Sequence, residues 1–404
     1  MIAEAQLPVP SVGEPSEREL TDTRLTFALR GGTAEIFART TDVDPQLWAD
    51  AFGDHPKDFE YYRLIEETMT DHFTYRYLVL RDTKGVPAAL QPLLIVDQDL
   101  SASSNGGILR AVKLIRRIAP RFLQTRMLMA GCLVGDGKLG LLPGANAQQA
   151  AEWLGEALVL LAKQERISLI TVKDFPKDSR DELQPLVDAG YCRMASFPPM
   201  KLELNFASFD EYLETRLSKI TRKGLRRKLR KAAGTPLELE VTSDCRAVID
   251  EVYPLYLEVA RRSDVSFETF TKEYFIEASQ RMPDRFRFFI WRKDGRAVAF
   301  SFCTIWGDAI YDNDIGLDYA VAHELNLYYV TFRDLLEWAL AQGLTTYYSA
   351  PFNYDPKLHL RMEAVPVDIY VRHTSALINA ALQRIAPFFA PAKSDAALRR
   401  HLGI

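Results

Sequence analysis

Residues 285–316 read RFRFFIWRKDGRAVAFSFCTIWGDAIYDNDIG. Three runs in this stretch, Arg285–Trp291, Ala297–Ile305 and Ala309–Gly316, are rich in aromatic and β-branched residues. Such residues suit a pleated, half-buried surface. Lys293-Asp294-Gly295 and Trp306-Gly307-Asp308 separate the runs and are tight hairpin signals, so the stretch predicts an antiparallel meander. Outward from it, the pattern predicts helices at Cys245–Arg262 and Phe270–Gln280, a strand at Leu237–Val241 and one long helix at Phe209–Ala232. Downstream it predicts a helix at Asn326–Gln342 stopped by Gly343, a strand at Thr345–Ser349 and a short helix at Pro356–Arg361. A last strand at Val367–Arg372 and a helix at Ser375–Ile385 follow.

The N-terminal half has the same order of elements. Short strands at Leu25–Leu29 and Ala34–Arg39 precede helical stretches at Pro45–Phe52 and Asp58–Thr70. A hairpin pairs Tyr75–Arg81 with Ala88–Asp97 across Lys84-Gly85. A strand at Met127–Val134, the glycine-rich Gly135–Gly144, a helix at Ala147–Lys163 and a buried strand at Ser168–Lys173 come next. A short helix at Asp181–Ala189 ends at Gly190, and Met200–Leu204 closes the half as a strand. Sheets flanked by helices in this order give an α+β fold with mixed sheets. The 404 residues fit two domains at roughly 100–200 residues each. The expected division is a disordered tail at 1–22, one domain at 23–204 and a second at 205–404.

Composition excludes several classes. A formal net charge of −4 gives no global attraction to nucleic acid or anionic membrane, so DNA is not an expected partner. Cys132, Cys192, Cys245 and Cys303 lie far apart without metal-ligand spacing and read as buried apolar groups, so no metal is expected. The first 22 residues lack the basic start and apolar run of a signal peptide. No apolar run reaches the ~18–20 residues that span a bilayer, and the expected location is the cytoplasm.

Three stretches carry a family resemblance. Phe209–Ala233, FDEYLETRLSKITRKGLRRKLRKAA, resembles the basic helix that opens the acyltransferase domain of FemAB-like members of the GNAT superfamily. Trp306–Gly343 is similar to the same group in its Tyr…Gly-x-Asp…Leu-Tyr-Tyr order. Ser349–Met362, SAPFNYDPKLHLRM, resembles the group's Gly-x-x-Tyr-x-x-Lys-x-x-Leu segment, with Ser349 or Ala350 where the family has glycine. The resemblance implies two GNAT-like acyl-CoA N-acyltransferase domains in tandem and an acyltransferase, with acyl-CoA or aminoacyl-tRNA as donor. It also implies a place in cell-envelope or exopolysaccharide metabolism. A tRNA-dependent peptidyltransferase and a non-catalytic scaffold are the alternatives. The long coiled-coil arm of the tRNA-dependent Fem ligases is absent, because the two helices after residue 245 are joined by too short a loop.

Candidate site residues follow. Asp312 and Asp314 lie two apart on one strand, which puts both on one face, where either would serve as the base that deprotonates an amine. A solvated sheet face or an Asp-x-Asp metal site are other readings of the same pair. Glu324, beside His323 at a helix start, is a further catalytic candidate, although an acid there also suits the helix dipole. The resemblance assigns Tyr328 or Tyr329 to leaving-group protonation, and Lys357 to charge stabilisation. Asn353 and Tyr354 belong to the same segment as substrate contacts; His359 and His373 read as structural. Arg222 and Arg226 share a helix face and suit a phosphate-bearing small molecule or tRNA, as against a plain solvated face. Leu213, Leu217, Ile220, Leu225 and Leu229 form that helix's apolar stripe. Ile108–Ile118 is a short basic amphipathic stretch suited to weak membrane-surface contact or to a surface helix.

The loop before the Asn326 helix, Leu317–Glu324, contains no glycine, whereas the family's pyrophosphate loop uses glycine to bring backbone amides onto the phosphates. We expect calorimetry to give a Kd for acetyl-CoA well above ~100 μM; low-micromolar binding would contradict the expectation.

Overall fold

The computed structural model describes residues 24–71, 73–99, 124–263 and 268–403, together with Leu114 and Arg116. The expected tail and, apart from Leu114 and Arg116, the basic stretch at 108–118 lie outside the described residues.

In the N-terminal half the chain forms β1 (Leu25–Leu29), β2 (Gly32–Phe37), α1 (Pro45–Phe52), α2 (Phe59–Thr68), β3 (Phe73–Asp82), β4 (Pro87–Asp99), β5 (Gln124–Ala130), β6 (Gly140–Leu141), α3 (Ala147–Gln164), β7 (Leu169–Pro176), α4 (Gln184–Asp188), β8 (Cys192–Ala195) and β9 (Met200–Glu203). Side chains cap the main helices here: Asp44, Asp58 and Asn146 each accept a backbone N–H of the first turn, satisfying donors the helix itself cannot.

The C-terminal half forms α5 (Phe209–Arg216), α6 (Lys219–Ala233), β10 (Glu238–Thr242), α7 (Ile249–Arg262), α8 (Lys272–Arg281), β11 (Phe286–Lys293), β12 (Arg296–Trp306), β13 (Ala309–Leu317), α9 (Tyr319–Ala322), α10 (Leu327–Ala341), β14 (Thr346–Ser349), α11 (Tyr354–His359), β15 (Glu363–Ala364), β16 (Val367–His373), α12 (Ala376–Ile385) and α13 (Ala396–Leu402). The single long helix expected at Phe209–Ala232 is broken. Leu217 is extended and buried, and Ser218 caps a new helix by accepting the N–H of Thr221. The break resets the helical phase, so Ile220, expected on the apolar stripe, is 87% exposed.

The α+β architecture consists of two mixed sheets. The first has the order β1-β2-β3-β4-β5-β7-β16-β8, with β6 on β4; the second has the order β10-β11-β12-β13-β14-β9-β15. Each sheet is antiparallel up to one parallel step, β5 with β7 in the first and β13 with β14 in the second, and antiparallel again beyond it. The two halves exchange their last strands. Met200–Leu204 does not close the first sheet as expected: β9 pairs with β14 and β15. In return β16 inserts between β7 and β8 of the first sheet. An unpaired strand edge is costly, and each half supplies the strand that continues the other's sheet.

A shared core joins the halves. Trp48, Tyr62, Tyr77 and Leu94 from the first half pack in one buried cluster with Phe275, Phe288 and Phe302 from the second. Each such side chain contributes roughly 1.5–3 kcal/mol when withdrawn from water, so the halves are held together by apolar burial. Polar links lie at its rim, where the Thr271 hydroxyl donates to the Thr68 carbonyl at 3.0 Å and Arg285 pairs with Asp58. The four cysteines are free and buried, as expected.

β13 and α7 meet closely at Gly316, where a Cβ would lie 2.5 Å from the Phe300 ring and 2.8 Å from the backbone nitrogen of Tyr256. Gly316→Ala is therefore expected to cost about 1–3 kcal/mol of stability through overpacking. The midpoint of urea unfolding measures this; an unchanged midpoint would show that α7 moves freely.

Candidate active site

The parallel step of the second sheet is short. β13 and β14 pair from Ala309↔Thr346 to Asp312↔Ser349, and the last rung is the Ala350 N–H donating to the Asp312 carbonyl at 3.1 Å. β13 runs on to Leu317, while the other chain turns away through Phe352 and Asn353, both at positive φ (73° and 51°), into α11. A gap opens beyond Asp312. The first sheet repeats the geometry: β5 and β7 pair as far as Ala130↔Val172, and β7 continues to Pro176.

At the mouth of the gap β13 carries one extra residue. Cys303 of β12 faces Asp312 and the adjacent Phe302 faces Asp314, so Asn313 is unmatched. Directly opposed residues share a face, and Phe302 and Cys303, being neighbours, do not. Asp312 and Asp314 therefore point to opposite faces, which corrects the expectation of a shared one. On one face the Tyr347 hydroxyl donates to Asp312 at 2.7 Å and the Cys303 thiol lies at 3.8 Å. On the other, Asp314 lies on the side of α7 and α8, with the Phe302 ring packed against Tyr274 and Phe275.

Electrostatics separate the two carboxyls. Burial raises Asp312, while the Tyr347 hydrogen bond and the Lys357 charge oppose the shift. Asp314 is pushed up to about 8 by burial, with Glu268 and then Asp312 adding to it, and among the described residues no side chain donates a hydrogen bond to it. Both keep part of their surface accessible, as groups lining a cleft do. Lys357 is 5% exposed, and its ammonium donates to the Ala350 carbonyl at the root of the gap. Burial brings it down to about 8, against the opposing pull of Asp312. Tyr328 on α10 faces the Asp312 side, where burial and the Asp312 charge keep its phenol protonated.

The other candidates are placed elsewhere. Glu324 and His323 are exposed before α10. Tyr329 lies under the Lys228 ammonium, 3.7 Å from its ring centre. Tyr354 is fully buried, with its hydroxyl donating to the Pro198 carbonyl, and Asn353 is exposed at the turn. Arg222 and Arg226 clasp the two oxygens of Glu214 at 2.5 and 2.6 Å. His359 bonds to the Asp355 carbonyl. An open groove of about 460 Å³, lined by Lys201, Asn205, Arg216 and Arg361 among others, contains none of the gap residues. Asp312, Asp314 and Lys357, whose ionisation burial disfavours, lie along the gap, on both faces of β13 and at its root. Among the described residues no cluster fits a metal ion, and no helix is long and apolar enough to cross a membrane.

Two contributors escaped the sequence reading. Glu268, in the segment between α7 and α8, is pushed up to about 7 by burial, with Lys173 opposing and Asp174 adding to the shift. Lys173 and Asp174 end the buried run of β7 in the other half, 2.5 Å apart. A Lys-Asp pair closing an apolar strand was the available signal for the second; Glu268 sits in no periodic pattern.

Residues 219–355 match the family described as the acetyltransferase (GNAT) domain. No curated protein matches the chain. Similar solved structures include the C-terminal domain of a putative lysylphosphatidylglycerol synthetase from Agrobacterium fabrum, at 12% identity and TM-score 0.50, covering 85% of this chain and 96% of that one. FemX is similar at 11% identity and TM-score 0.50, covering 86% and 96%. A conserved protein of unknown function from Bacteroides thetaiotaomicron VPI-5482 has 10% identity and TM-score 0.50, covering 82% and 96%. At these identities the likeness is one of fold, and the fold is the expected GNAT-like one.

Asp314 holds its proton in the folded protein up to about pH 8, against an ordinary value of 3.8. The stability linked to that proton is complete below about pH 4 and is lost as pH rises through 8. Asp314→Asn removes the dependence. Its stability relative to the parent should rise between pH 5 and pH 8.5, by on the order of 1–3 kcal/mol, read from urea unfolding at the two pH values.

Proposed function

We propose that the protein is an acyltransferase that moves an acyl group from an activated donor to an amine, with the reacting carbonyl in the gap between β13 and β14. The observation that carries this reading is the separation of those strands after Asp312, with Asp314, Lys357 and Tyr328 distributed around the opening. The GNAT domain match over residues 219–355 contains Asp314 and Tyr328 and ends two residues before Lys357.

In this reading the amine approaches from the face of Asp314. Asp314 takes its proton, and the freed lone pair forms a bond to the acyl carbon. A carboxyl with a value near 8 is suited to this at neutral pH, because its basicity is matched to the task. The carbonyl oxygen gathers negative charge, and the Lys357 ammonium at the root of the gap stabilises it. The bond to the donor's sulfur or oxygen breaks as the carbonyl re-forms, and Tyr328, on the opposite face, supplies the proton to the leaving group. Asp312 holds Tyr347 and offsets the charge of Lys357.

The glycine-free loop at 317–324 disfavours acetyl-CoA as the donor, and the basic helix α6 suits another phosphate-bearing one. Lys223, Arg227, Arg230 and Lys231 of α6 are exposed, and a row of cations favours a donor with several phosphates. Aminoacyl-tRNA is the second reading that this row supports, with FemX and the lysylphosphatidylglycerol synthetase domain as fold relatives; cell-envelope aminoacylation would then be the setting. We further propose the cytoplasm as the site of action, and two units meeting near residue 204 that trade their terminal strands.

The test is turnover with a panel of acyl-CoA and aminoacyl-tRNA donors and simple amine acceptors. A general base typically contributes 10²–10⁴-fold, so Asp314→Asn should lower kcat at least about tenfold with KM little changed. Lys357→Met should lower kcat by a similar factor. Undiminished turnover in both variants would remove the gap as the reacting centre.

A further inference from the structure

The helix α12 buries none of its ten residues. Leu377 is 83% exposed, Ile378 51% and Ile385 52%. By helical periodicity these three and Ala381, also exposed, fall on one stripe about 100° wide. Phe388, in the turn Ala386–Phe389 that continues the helix, is 76% exposed. The polar side of α12 faces the protein. The Asn379 and Gln383 amides both donate to the Gly190 carbonyl at 2.9 Å, and the Asn379 side-chain oxygen accepts the His373 N–H. Buried Ala386 and Ala390 fix the far end. An amphipathic helix ordinarily turns its apolar stripe to the core, whereas the amides of α12 hold it the other way round. Single exposed apolar side chains are ordinary on a protein surface, but a contiguous stripe marks an interaction site.

Charge identifies the occupant. The chain carries a formal net charge of −4, yet residues 369–394 contain Arg372, His373, Arg384 and Lys393 and no acidic residue. Residues 100–123 likewise contain Arg110, Lys113, Arg116, Arg117 and Arg121 and no acidic residue. The chain enters that segment from Asp99 at the end of β4 and returns at Gln124 of β5, its partner in the sheet. The hydroxyl of the next residue, Thr125, lies 3.4 Å from that of Ser168, and the Ser168 carbonyl accepts the N–H of Thr374, two residues before α12. Both acid-free stretches of sequence therefore meet the first sheet at the same end. An anionic lipid surface suits this combination: apolar side chains enter the boundary of the acyl chains, and cations are drawn to the headgroup phosphates.

We propose that α12 and Phe388 form a docking surface for an anionic lipid bilayer. Leu377, Ile378, Ile385 and Phe388 enter the boundary between headgroups and acyl chains, and the exposed Arg384 of the same helix meets lipid phosphates. A helix of ten residues is about 15 Å long, half the roughly 30 Å of a bilayer's hydrocarbon core. It therefore lies in the plane of the interface and does not cross it. Apolar burial supplies most of the attachment, and the local positive charge supplies the preference for anionic lipid. Attachment of this kind is reversible, because one short stripe buries little apolar surface. It is also independent of the chemistry at the gap, since α12 carries none of the residues assigned there.

The test is co-sedimentation of the full-length protein with two kinds of vesicle, one of phosphatidylcholine and one of phosphatidylcholine mixed equally with phosphatidylglycerol. The parent should bind the mixed vesicles about tenfold more tightly or better, and high salt should remove most of that preference. Leu377→Ser with Phe388→Ser should lower the partition onto mixed vesicles by about tenfold or more, with an unchanged thermal midpoint because both positions are exposed. Phe388→Trp should keep the binding, and its added emission should shift to the blue when mixed vesicles are present. Binding that the double serine variant leaves undiminished would overturn the assignment of α12, even if that binding is salt-sensitive. Failure of the parent to bind mixed vesicles would overturn it as well. Sedimentation velocity would then show whether a second copy of the chain covers the stripe, as a dimer that the same two substitutions dissolve.

Discussion

One unmatched residue in β13 sets the rest of the site. Asn313 shifts the register by one, and because side chains alternate along a strand, every residue of β13 beyond it lies on the face opposite to the one strict alternation would give. Without it, Asp312 and Asp314 would stand side by side as a mutually repelling pair. With it, Asp312 turns to Tyr347 on the α10 side and Asp314 turns to the join between the halves. The shift lies just past the last rung of the parallel pairing, so it falls where β13 has lost its neighbour. Gap and divided carboxyls are consequences of the same few residues.

The exchange of β9 and β16 gives this local geometry a rigid frame. Each sheet takes a strand from the other half, and the aromatic core between them is continuous. Elements distant in sequence are therefore held by one continuous core. Burial of Asp314, Glu268, Lys173 and Lys357 opposes folding, and the apolar contacts of the shared core offset it. A site that is electrostatically costly is tolerated because the surrounding core is large and apolar.

The basic helix shows how tertiary neighbours redirect a charge pattern. By spacing, Arg222 and Arg226 form a fork for phosphate. The break at Leu217-Ser218 folds α5 back so that Glu214 meets both guanidiniums. An exposed ion pair of this kind contributes little to stability, yet it occupies the fork. The exposed cations are consequently Lys223, Arg227, Arg230 and Lys231 of α6.

The sequence by itself determined the elements, because hairpin turns, helix caps and apolar periodicity are local: the β11–β13 meander, α3, α10 and the strand-helix-strand order of both halves are legible from spacing. It also singled out Asp314 and Lys357 as candidates, since a charge within an apolar strand or next to a family motif stands out. The tertiary structure alone decided which sheet β9 and β16 join, because the pairing of a short apolar strand depends on which edge is vacant. It alone decided the faces of Asp312 and Asp314, since a bulge is a relation between two strands and leaves no periodic trace in one. It alone buried Glu268, because a charge in an irregular segment acquires meaning only from what the fold packs around it.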